Sequence, residues 1–364
     1  MRHLRVPSAE TQDWLALCKA SDWLLSTSGV VALEDSFRAI PLRSDAPDEA
    51  DPCWKGLVHV EVESKGRGPL HWTERLPSQL QALPAETWPA AYEIQGDVLI
   101  VKLEDSAAIH ASAIASAMLE QLPNVRLVCA DDGVEGDFRV RRLTVLGSRD
   151  GTKHTRTRVR EHGHLVWVDP GKVYFSSRLS NERNRTLESL KELRSLRNQP
   201  LVVADPYAGV GPAFSTLFSE PGLLNGCLAG DLNPDAVDLL RLNLEQWSRK
   251  RTDGPLSNIE VVCMDALDWK GRPELCAQAD VVLVNLPHDS FEHLPSMFPL
   301  LRKGVPVMIR GWAIRERALI DADRNALRAL LEKHTARNIG VELSEIKGFS
   351  STKCFVAFEC HFTI

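Results

Sequence analysis

Three aspartates in the second half of the sequence each end a run of apolar residues. Asp205 ends the run that begins at Leu201, and Asp231 and Asp265 end two later runs. Because the carboxyl ends of parallel strands meet at one edge of a sheet, and open α/β sheets bind ligands there, we expect the three carboxylates to line one site. The alternative is that each acid only caps the helix that follows it.

A tight turn with two glycines follows Asp205. Gly209, Val210 and Gly211 precede Pro212, which opens a predicted helix. The turn lacks the third glycine of a dinucleotide-binding turn and the lysine of a P-loop, so the sequence disfavours a bound phosphate. Carboxylates suit a cationic ligand that is rich in hydroxyl groups, and S-adenosylmethionine has these properties. Its ammonium and sulfonium would lie near the first turn, its ribose near the second acid and its adenine near the third.

The charged residues are distributed unevenly along the chain. The formal net charge is -6, yet residues 139–197 contain fifteen Lys and Arg against six Asp and Glu. A basic segment in an acidic protein indicates contact with a phosphate backbone, and the alternative is that many of these side chains lie on the solvated face of a helix. The predicted RNA contacts are Arg139, Arg141, Arg142, Lys153, Arg158, Arg178 and Arg183.

Composition bounds the class of protein. The 364 residues are 44% hydrophobic and 25% charged, which is typical of a globular chain with two or three domains. No apolar run is long enough for a membrane span and the first residues do not resemble a signal peptide, so we expect a cytoplasmic protein. The eight cysteines include no CxxC pair, which predicts free thiols and no metal site.

The order of predicted elements divides the chain into four segments. Residues 1–62 form a small α/β domain, 63–89 a connector rich in Gly and Pro, 90–170 a middle α/β domain, and 171–364 the domain that would bind the cofactor. In the last segment strands alternate with helices and two strands end the chain. This pattern predicts a Rossmann-like parallel sheet with an antiparallel terminal hairpin.

Two local predictions concern the middle of the chain. Residues 93–104 are predicted as one strand, and residues 138–147, 155–163 and 164–169 as strands of one small sheet. Such a sheet would present four arginines on one face: Arg139, Arg141, Arg158 and Arg160. Ser180 or Asn181 is the predicted N-cap of the long helix that follows.

Several motifs resemble one enzyme family. Asn285-Leu286-Pro287, after the fourth predicted strand, is similar to the Asn-Pro-Pro-Tyr-type motif of amino methyltransferases, although a simple turn before a helix is an alternative. Together with DPYAGVGP, GDLNPDA, VYFSSRL, EGDFRVR and YEIQGDVLIV, in matching order, the chain resembles the archaeal and eukaryotic-type tRNA (guanine-37-N1)-methyltransferases. These are class I S-adenosylmethionine-dependent methyltransferases. The resemblance is strong from about residue 90 and weak over residues 1–62, where it implies recognition of the outer corner of tRNA.

The resemblance implies four catalytic roles. Guanine N1 carries a proton at neutral pH, so its methylation needs a base, and negative charge then develops on O6. Glu182 would be the base and Arg139 the cation that stabilises O6, with Arg141 and Arg142 as competitors for that role. Tyr174 would position or stack on the base, and Asn285 would hold the edge of the guanine. Alternatives are a helix-start acid for Glu182, a core side chain for Tyr174 and phosphate contacts for the arginines.

The resemblance also implies the partners. We expect a monomer that binds tRNA and S-adenosylmethionine, with an aminocarboxypropyl transferase or bifunctional methyltransferase of the wyosine/wybutosine pathway as the alternative enzyme. The alternative of another class is an RNA-binding scaffold without turnover. The predicted cofactor contacts are Asp205, Tyr207, Ala208, Gly209, Val210, Gly211, Asp231, Leu232, Asn233, Asp265, Ala266, Asn285 and Pro287.

Overall fold

The chain divides into two compact units. A computed structural model describes residues 1–63, 66, 68–136 and 138–364. Contacts cluster into Met1–Leu83 and Pro84–Ile364, so the division falls inside the segment 63–89 that the sequence marks as a connector.

The first unit is built on a four-stranded antiparallel sheet. Its elements are β1 (Arg2–Pro7), α1 (Thr11–Ala20), β2 (Val31–Ala32), β3 (Phe37–Pro41), β4 (His59–Glu61) and α2 (Ser78–Gln81). The strand order is β2-β3-β1-β4. Strand β1, which the sequence interpretation missed, is central, and its Leu4 and Val6 pack with Trp14 of α1 and Trp54.

A second four-stranded sheet begins the larger unit. It contains β5 (Tyr92–Gln95), β6 (Val98–Val101), β7 (Leu127–Glu135) and β8 (Val140–Ser148) in that order, with α3 (Asp105–Ala108) and α4 (Ala111–Gln121) between β6 and β7. The prediction of a single strand over residues 93–104 is wrong. The chain turns at Gly96, which has φ +61°, and β5 and β6 therefore form a hairpin. Glycine is also needed there for space, because a Cβ would collide with Thr157.

The predicted small sheet with four arginines is also wrong. β9 (Thr157–Glu161) and β10 (His164–Val168) form a separate two-stranded sheet, so Arg158 is not in the sheet that contains Arg141. The reason lies in the apolar residues of β10: Val166 and Val168 are fully buried in the core of the next domain. Hydrophobic burial therefore holds the hairpin there rather than beside β8.

Asn243 joins the β9–β10 hairpin to the glycine turn that the sequence marks as the cofactor site. The Asn243 Oδ1 atom accepts a hydrogen bond from the Trp167 N–H at 2.8 Å, and its Nδ2 donates to the carbonyls of Trp167 at 3.0 Å and Val210 at 2.9 Å. Asn243 is fully buried, so these bonds satisfy a side chain that has no access to water.

The remaining strands form one seven-stranded sheet. They are β11 (Leu201–Asp205), β12 (Leu224–Asp231), β13 (Asn258–Cys263), β14 (Val281–Val284), β15 (Pro306–Glu316), β16 (Arg337–Gly348) and β17 (Lys353–Thr363). Their order is β13-β12-β11-β14-β15-β17-β16, and β17 runs in the opposite direction to the other six strands. The predicted Rossmann-like sheet with an antiparallel terminal hairpin is confirmed. The strand order reverses at β11, because β12 and β13 lie on one side of it and β14 and β15 on the other. Open α/β sheets bind ligands at the carboxyl ends of the strands where this reversal occurs, here β11 and β14.

Five helices pack on the two faces of this sheet. They are α5 (Ser180–Arg197), α6 (Pro212–Leu217), α7 (Pro234–Ser248), α8 (Ser290–Met297) and α9 (Ile320–Lys333). The predicted side-chain cap of α5 is wrong, because a 3-10 turn at Ser177–Leu179 leads directly into the helix. The Ser180 hydroxyl instead bonds His162 Nε2 at 2.7 Å. Within the part of the chain that the structure describes, no helix is long and apolar enough to cross a membrane.

Candidate functional site

The carboxylates of Asp205 and Asp231 lie at neighbouring strand ends and organise the turn between them. Asp205 Oδ1 accepts from the Tyr207 N–H at 3.0 Å. Asp231 accepts from the N–H groups of Gly209 at 2.8 Å and Asn233 at 2.9 Å. The two predicted cofactor acids are therefore brought together with the glycine turn.

The two glycines of the turn have backbone conformations that favour glycine. Gly209 has φ +56° and Gly211 has φ +81°. A Cβ on Gly211 would collide with Leu240 of α7, whereas a Cβ on Gly209 would meet only the Tyr174 carbonyl, at 4.0 Å. Gly211 is therefore needed for packing, while the space above Gly209 is open to a ligand.

Burial makes both acids unusual. It raises the pKa of Asp205 to about 7, with a further contribution from the charge of Asp231. It also raises the pKa of Asp231, although hydrogen bonds from the Asn233 and Gly209 N–H groups act in the opposite direction. Among the described residues, neither acid has an ion pair with a Lys or Arg, so a bound cation would compensate their charge. The two buried carboxylates thus fit the positively charged ammonium and sulfonium groups of the expected cofactor.

The helix-capping alternative accounts for two other predicted contacts. Asp265 Oδ1 accepts from the Leu267 N–H at 2.8 Å and caps the 3-10 helix Ala266–Gly271. Asn233 Oδ1 accepts from the Asp235 N–H at 3.0 Å and caps α7, while its Nδ2 bonds the Lys172 carbonyl. These caps leave one oxygen of Asp265 available.

Tyr207, one of the predicted cofactor contacts, lies against a histidine of α8. The Tyr207 hydroxyl lies 2.9 Å from His293 Nδ1, and burial, with the charges of Asp265 and Asp205, raises the Tyr207 pKa. The structure shows no cluster of metal-binding side chains among the described residues. Leu232, in contrast, is half exposed at the end of β12.

Glu182 occupies the first turn of α5 and is buried. Its Oε1 accepts from Arg185 at 2.7 Å, and its carbonyl accepts from the Thr186 hydroxyl at 3.0 Å. Its Oε2 has no hydrogen-bond partner among the described residues, although it is shielded from water. An acceptor that is buried without a donor is the state expected of a base that takes up a proton from a bound substrate.

Asn285 follows β14 at the same edge of the sheet. Its side chain is half-buried, and the loop after it is held by the Pro287 carbonyl, which accepts from the Ile314 N–H at 2.7 Å. Ser290 donates to the Trp312 carbonyl at 2.6 Å and ties the start of α8 to β15. The backbone around Asn285 is therefore fixed, and its side-chain amide forms no hydrogen bond with a described residue.

Tyr174 is 62% exposed, which excludes the core alternative for its side chain. Its backbone lies against the cofactor turn, because the Tyr174 carbonyl is the nearest atom to the open space above Gly209. The phenol is therefore free to contact a base that enters beside this turn.

The three candidate arginines for O6 differ in their partners. Arg141 donates to Glu93 at 2.7 Å, and Arg142 donates to Glu135 at 2.8 Å, both within the middle sheet. Arg139 lies in the exposed turn between β7 and β8, and its guanidinium forms no ion pair with a described residue. Arg139 is thus the available cation of the three, although the structure records no contact between it and Glu182.

The structure does not support an RNA contact by Arg183. Its guanidinium is buried and donates to both oxygens of Glu161, at 2.6 and 2.5 Å, and to the Ser176 carbonyl. A buried guanidinium held by Glu161 and Ser176 is not accessible to a phosphate group, so Arg183 anchors α5 on the β9–β10 hairpin.

Removing this anchor is expected to destabilise the fold. Arg183→Met would leave Glu161 buried and unpaired, at a cost of about 3–5 kcal/mol of unfolding free energy, measured by urea denaturation. Lys191→Met on the same helix is the control, because its ion pair with Glu188 is exposed. Equal stability of the two variants would contradict the anchoring role.

The other predicted RNA contacts are exposed. Lys153, Arg158 and Arg178 are all exposed to solvent. The charge of Arg178 also acts on Glu93 of the middle sheet and helps to lower the pKa of that carboxyl group. Burial acts to raise the pKa of Glu93, but Gln95, Arg141 and Arg178 together lower it.

Sequence reasoning missed the aromatic centre of this basic surface. The guanidiniums of Arg156 and Arg158 lie 4.9 and 5.0 Å from the Trp167 ring, in a cleft of about 580 Å³ that Arg126 and Arg160 also line. The signal was present, because β9 alternates Arg with other residues and Trp167 pairs with Arg158 in the hairpin.

The sequence matches two family models. One, described as the TRM5/TYW2 methyltransferase domain, matches residues 157–339, and another, described as the TYW2 N-terminal domain, matches residues 73–151. The tRNA (guanine(37)-N(1))-methyltransferase Trm5b of Pyrococcus abyssi is 29% identical over 243 residues, 65% of this chain and 64% of the relative. Trm5b of Methanocaldococcus jannaschii is 34% identical over 216 residues, 59% of this chain and 56% of the relative. The matches thus span less than two thirds of these relatives.

Solved structures share the fold. Trm5b from Pyrococcus abyssi has a TM-score of 0.64 at 24% identity, with both chains fully covered. A complex of aTrm5 and tRNALeu has a TM-score of 0.66 at 21% identity and 99% coverage of each chain. Pyrococcus horikoshii TYW2, with MeSAdo, has a TM-score of 0.58 at 18% identity, covering 78% of this chain and 96% of its own. The predicted family resemblance is confirmed, and because the domain model matches half of the sequence, the chain belongs to the TRM5/TYW2 methyltransferase family.

Proposed function

We propose that the chain transfers a methyl group from S-adenosylmethionine to N1 of guanosine at position 37 of tRNA, next to the anticodon. The observation that carries this proposal is the buried Glu182 carboxylate, one oxygen of which has no partner among the described residues, on helix α5, whose Thr186 hydroxyl accepts from Arg310 of β15. Named relatives with this activity support it.

The residues that would hold the cofactor surround the glycine turn. Asp205 and Asp231 would face the cationic groups and the ribose of the cofactor. Asp265 and Ala266 would face its adenine. The backbone of the turn 207–211 would line the remaining side of the bound cofactor. Leu232, Asn233, Asn285 and Pro287 complete the predicted contacts. When bound, S-adenosylmethionine supplies an electrophilic methyl group. Solved relatives described with AdoMet and with adenosine support this choice of cofactor.

The protein's contribution is to prepare and hold the guanine. Glu182 accepts the N1 proton, and the Asn285 amide holds the edge of the base at the carboxyl end of β14. Arg139 stabilises the negative charge that develops on O6, and Tyr174 packs against the base. These roles are mainly positioning and charge stabilisation, which suffice for large accelerations when the reacting groups are aligned.

The larger partner is proposed to be tRNA. The exposed Lys153, Arg158 and Arg178 offer phosphate contacts, and the domain at residues 1–62 would recognise the outer corner of the molecule. The middle domain, predicted at residues 90–170, would hold the RNA against the catalytic domain, and we assign the β9–β10 hairpin to the catalytic domain because Val166 and Val168 lie in its core. A solved relative in complex with tRNALeu supports a tRNA substrate, and we propose that the chain acts as a monomer in the cytoplasm.

Aminocarboxypropyl transfer is the second candidate. The match of residues 73–151 to a TYW2 N-terminal domain favours it, since that domain name belongs to the other branch of the family. A bifunctional methyltransferase of the wyosine/wybutosine pathway would use the same cofactor on a later base.

The direct test is transfer of label from methyl-tritiated S-adenosylmethionine to tRNA transcripts that carry guanosine or another base at position 37. We expect incorporation only into the guanosine transcript, with a nucleoside mass increase of one methyl group. An aminocarboxypropyl mass increase without tritium in the tRNA would establish the second candidate, because in that transfer the labelled methyl group stays on the departing methylthioadenosine. Absence of any transfer to tRNA, with cofactor binding intact, would favour a non-catalytic RNA-binding scaffold.

The choice of catalytic arginine gives a separate prediction. Arg139→Ala is expected to lower the single-turnover rate by about 10²–10³-fold, because a donor to the developing oxyanion is lost. Arg142→Ala is the matched control and should change the rate by less than about threefold, since Arg142 is engaged by Glu135. The reverse ranking would assign the O6 role to Arg142.

A further inference from the structure

Two buried polar atoms, one on α5 and one on β15, lack a hydrogen-bond partner in the described part of the chain. Glu182 Oε2 is an acceptor and Trp312 Nε1 is a donor, and neither has a hydrogen-bond partner among the described residues. Trp312 is 3% exposed and Glu182 is 4% exposed. Leaving either atom unpaired is costly, so such a pair calls for an explanation.

The register of α5 on β15 brings the two residues to the same level. Arg310 Nε donates to the Thr186 hydroxyl at 3.1 Å. Glu182 is four residues before Thr186, about 6 Å along the helix on the same face, and Trp312 is two residues after Arg310, about 6.6 Å along the strand on the same face. The two displacements match in length.

Two further contacts establish that the displacements also match in direction. Leu179, just before α5, packs with Trp312 and Phe355 in one apolar cluster. At the other end, Ser189 accepts from Arg310 Nη1 at 3.2 Å. Helix and strand therefore run antiparallel across this interface, and Glu182 lies over Trp312.

Trp312 is also adjacent to the proposed acceptor site. Val284 pairs with Gly311 in the parallel ladder of β14 and β15, so Asn285 and Trp312 follow as neighbours at the strand ends. The Trp312 carbonyl is held by Ser290 at 2.6 Å, which fixes the backbone that carries the indole.

We infer that Trp312 is a positioning residue whose indole N–H donates through one bridging water to the Glu182 carboxylate and holds its free oxygen toward the N1 proton of the guanine. The inference rests on the proposed function for the identity of the substrate. A neutral donor stabilises the ionised base without adding a positive charge that would oppose proton uptake strongly. Trp312 thus acts through Glu182 and does not itself react.

Among the described residues, no charged group around Glu182 bonds its Oε2 oxygen. Arg185, on its own helix, contacts the opposite oxygen, Oε1. On β15 and β17, Arg310 is paired with Glu359, and His361 Nε2 lies 2.6 Å from Glu359. Burial acts to raise the pKa of Glu359, but the bonds to His361 and Ser189 and the charge of Arg310 hold it at about 2. On the β9–β10 turn, His162 Nε2 bonds Ser180, and Arg183 on α5 is paired with the β9 Glu161. The indole N–H is therefore the unengaged donor on the face below Glu182.

The test is the pH profile of single-turnover methyl transfer by the full chain carrying Trp312→Phe, which keeps an aromatic ring and removes the N–H. Loss of a donor to the ionised carboxylate should shift the acidic limb to higher pH by about half a unit to one unit. At any fixed pH on the acidic limb the rate would then fall about three- to tenfold, while the alkaline plateau is retained. Trp269→Phe is the matched control, because its indole N–H is equally buried and unpartnered but lies in another cluster, and its profile should not move.

A second measurement does not depend on turnover. With selectively labelled glutamate, the carboxyl NMR signal that Glu182→Gln removes should titrate at higher pH in Trp312→Phe than in the wild-type chain. If neither the NMR signal nor the acidic limb of the pH profile shifts, the inference is overturned. A raised KM for tRNA with an unchanged pH profile would also overturn it, because it would mean that the indole contacts the base. If Trp312→Phe folds poorly, benzothienylalanine at position 312, which replaces the N–H by sulfur, serves instead. Absence of methyl transfer in the wild-type chain would sink the proposed function, while the NMR shift still tests the pair.

Discussion

Glu182→Gln is expected to lower the single-turnover rate of methyl transfer by about 10²–10⁴-fold, the range typical for loss of a general base. Glutamine keeps the size of the side chain and can still bond Arg185 through its carbonyl oxygen, but it cannot accept the N1 proton. Cofactor affinity should stay within about twofold of the wild-type value, since the side chain lies on α5 and the cofactor turn on β11. Rapid-quench assays with the guanosine-37 transcript measure the rate, and calorimetry measures the affinity.

Glu188→Gln provides the control for this variant. Glu188 lies on the same helix, is exposed and pairs with Lys191 at 3.7 Å, so its neutralisation should leave the rate within about twofold. A full rate in Glu182→Gln would mean that the base is elsewhere. A rate loss accompanied by an equal loss of cofactor affinity would mean that Glu182 supports the fold of the site rather than the proton transfer.

Cofactor binding is expected to weaken as the pH falls below about 7, because Asp205 has a pKa raised to about 7 by burial. The ionised carboxylate attracts the cationic cofactor and the protonated form does not, so the dissociation constant should rise by up to tenfold per pH unit below this value. Between pH 8 and pH 5.5 the expected loss is about 30-fold. Titrations across this range, with buffers of constant ionic strength, measure it.

Asp205→Asn should abolish this pH dependence and weaken binding at pH 8. Asp238→Asn, on the exposed face of α7, is the control and should retain the wild-type dependence. An unchanged dissociation constant for the wild-type chain between pH 8 and pH 5.5 would contradict the role of Asp205 as the cation-binding acid.

The same acid has an opposite effect on folding. A carboxyl group whose pKa rises from 3.8 to about 7 on folding favours the native state only when protonated. Its destabilising effect is absent below pH 3.8 and complete above about pH 7, so the unfolding free energy attributable to it falls as pH rises through this window, by at most about 4 kcal/mol. Asp205→Asn is therefore expected to raise the melting temperature at pH 8 while it weakens cofactor binding.

The geometry of the proposed cofactor turn was predictable because its signals are local. Asp205 and Asp231 each end an apolar run, and Gly209 and Gly211 lie in one turn, so the topology of a parallel sheet is enough to bring them together. Strand ends and turn glycines are fixed by backbone geometry over a few residues, which is why the sheet and this edge followed from the sequence.

The features that sequence reasoning missed depend on contacts between distant segments. Arg183 looks like any other arginine of the basic segment until Glu161, 22 residues away, is found beside it. Arg310 and Glu359 are separated by 49 residues and pair only because β15 and β17 are neighbours. The β9–β10 hairpin alternates like a strand pair of the middle sheet, and only the burial of Val166 and Val168 decides where it packs. Residue type predicts that a charge needs a partner, but tertiary structure decides which partner it has.

The three hydrogen bonds of Asn243 indicate which residue is the first that the methyltransferase domain needs in order to fold. They bind Trp167, at the end of a hairpin that precedes the long helix, to Val210 in the cofactor turn, and the Leu165 carbonyl accepts a further bond from the Trp247 indole at 3.0 Å. A fragment cut just after the hairpin would lose two core valines and would leave the buried Asn243 Oδ1 and the Trp247 indole N–H without their hydrogen-bond partners. The smallest piece able to fold and bind the methyl donor must therefore start before Thr157, and insertions that evolution tolerates are expected upstream of that residue rather than between the hairpin and the helix.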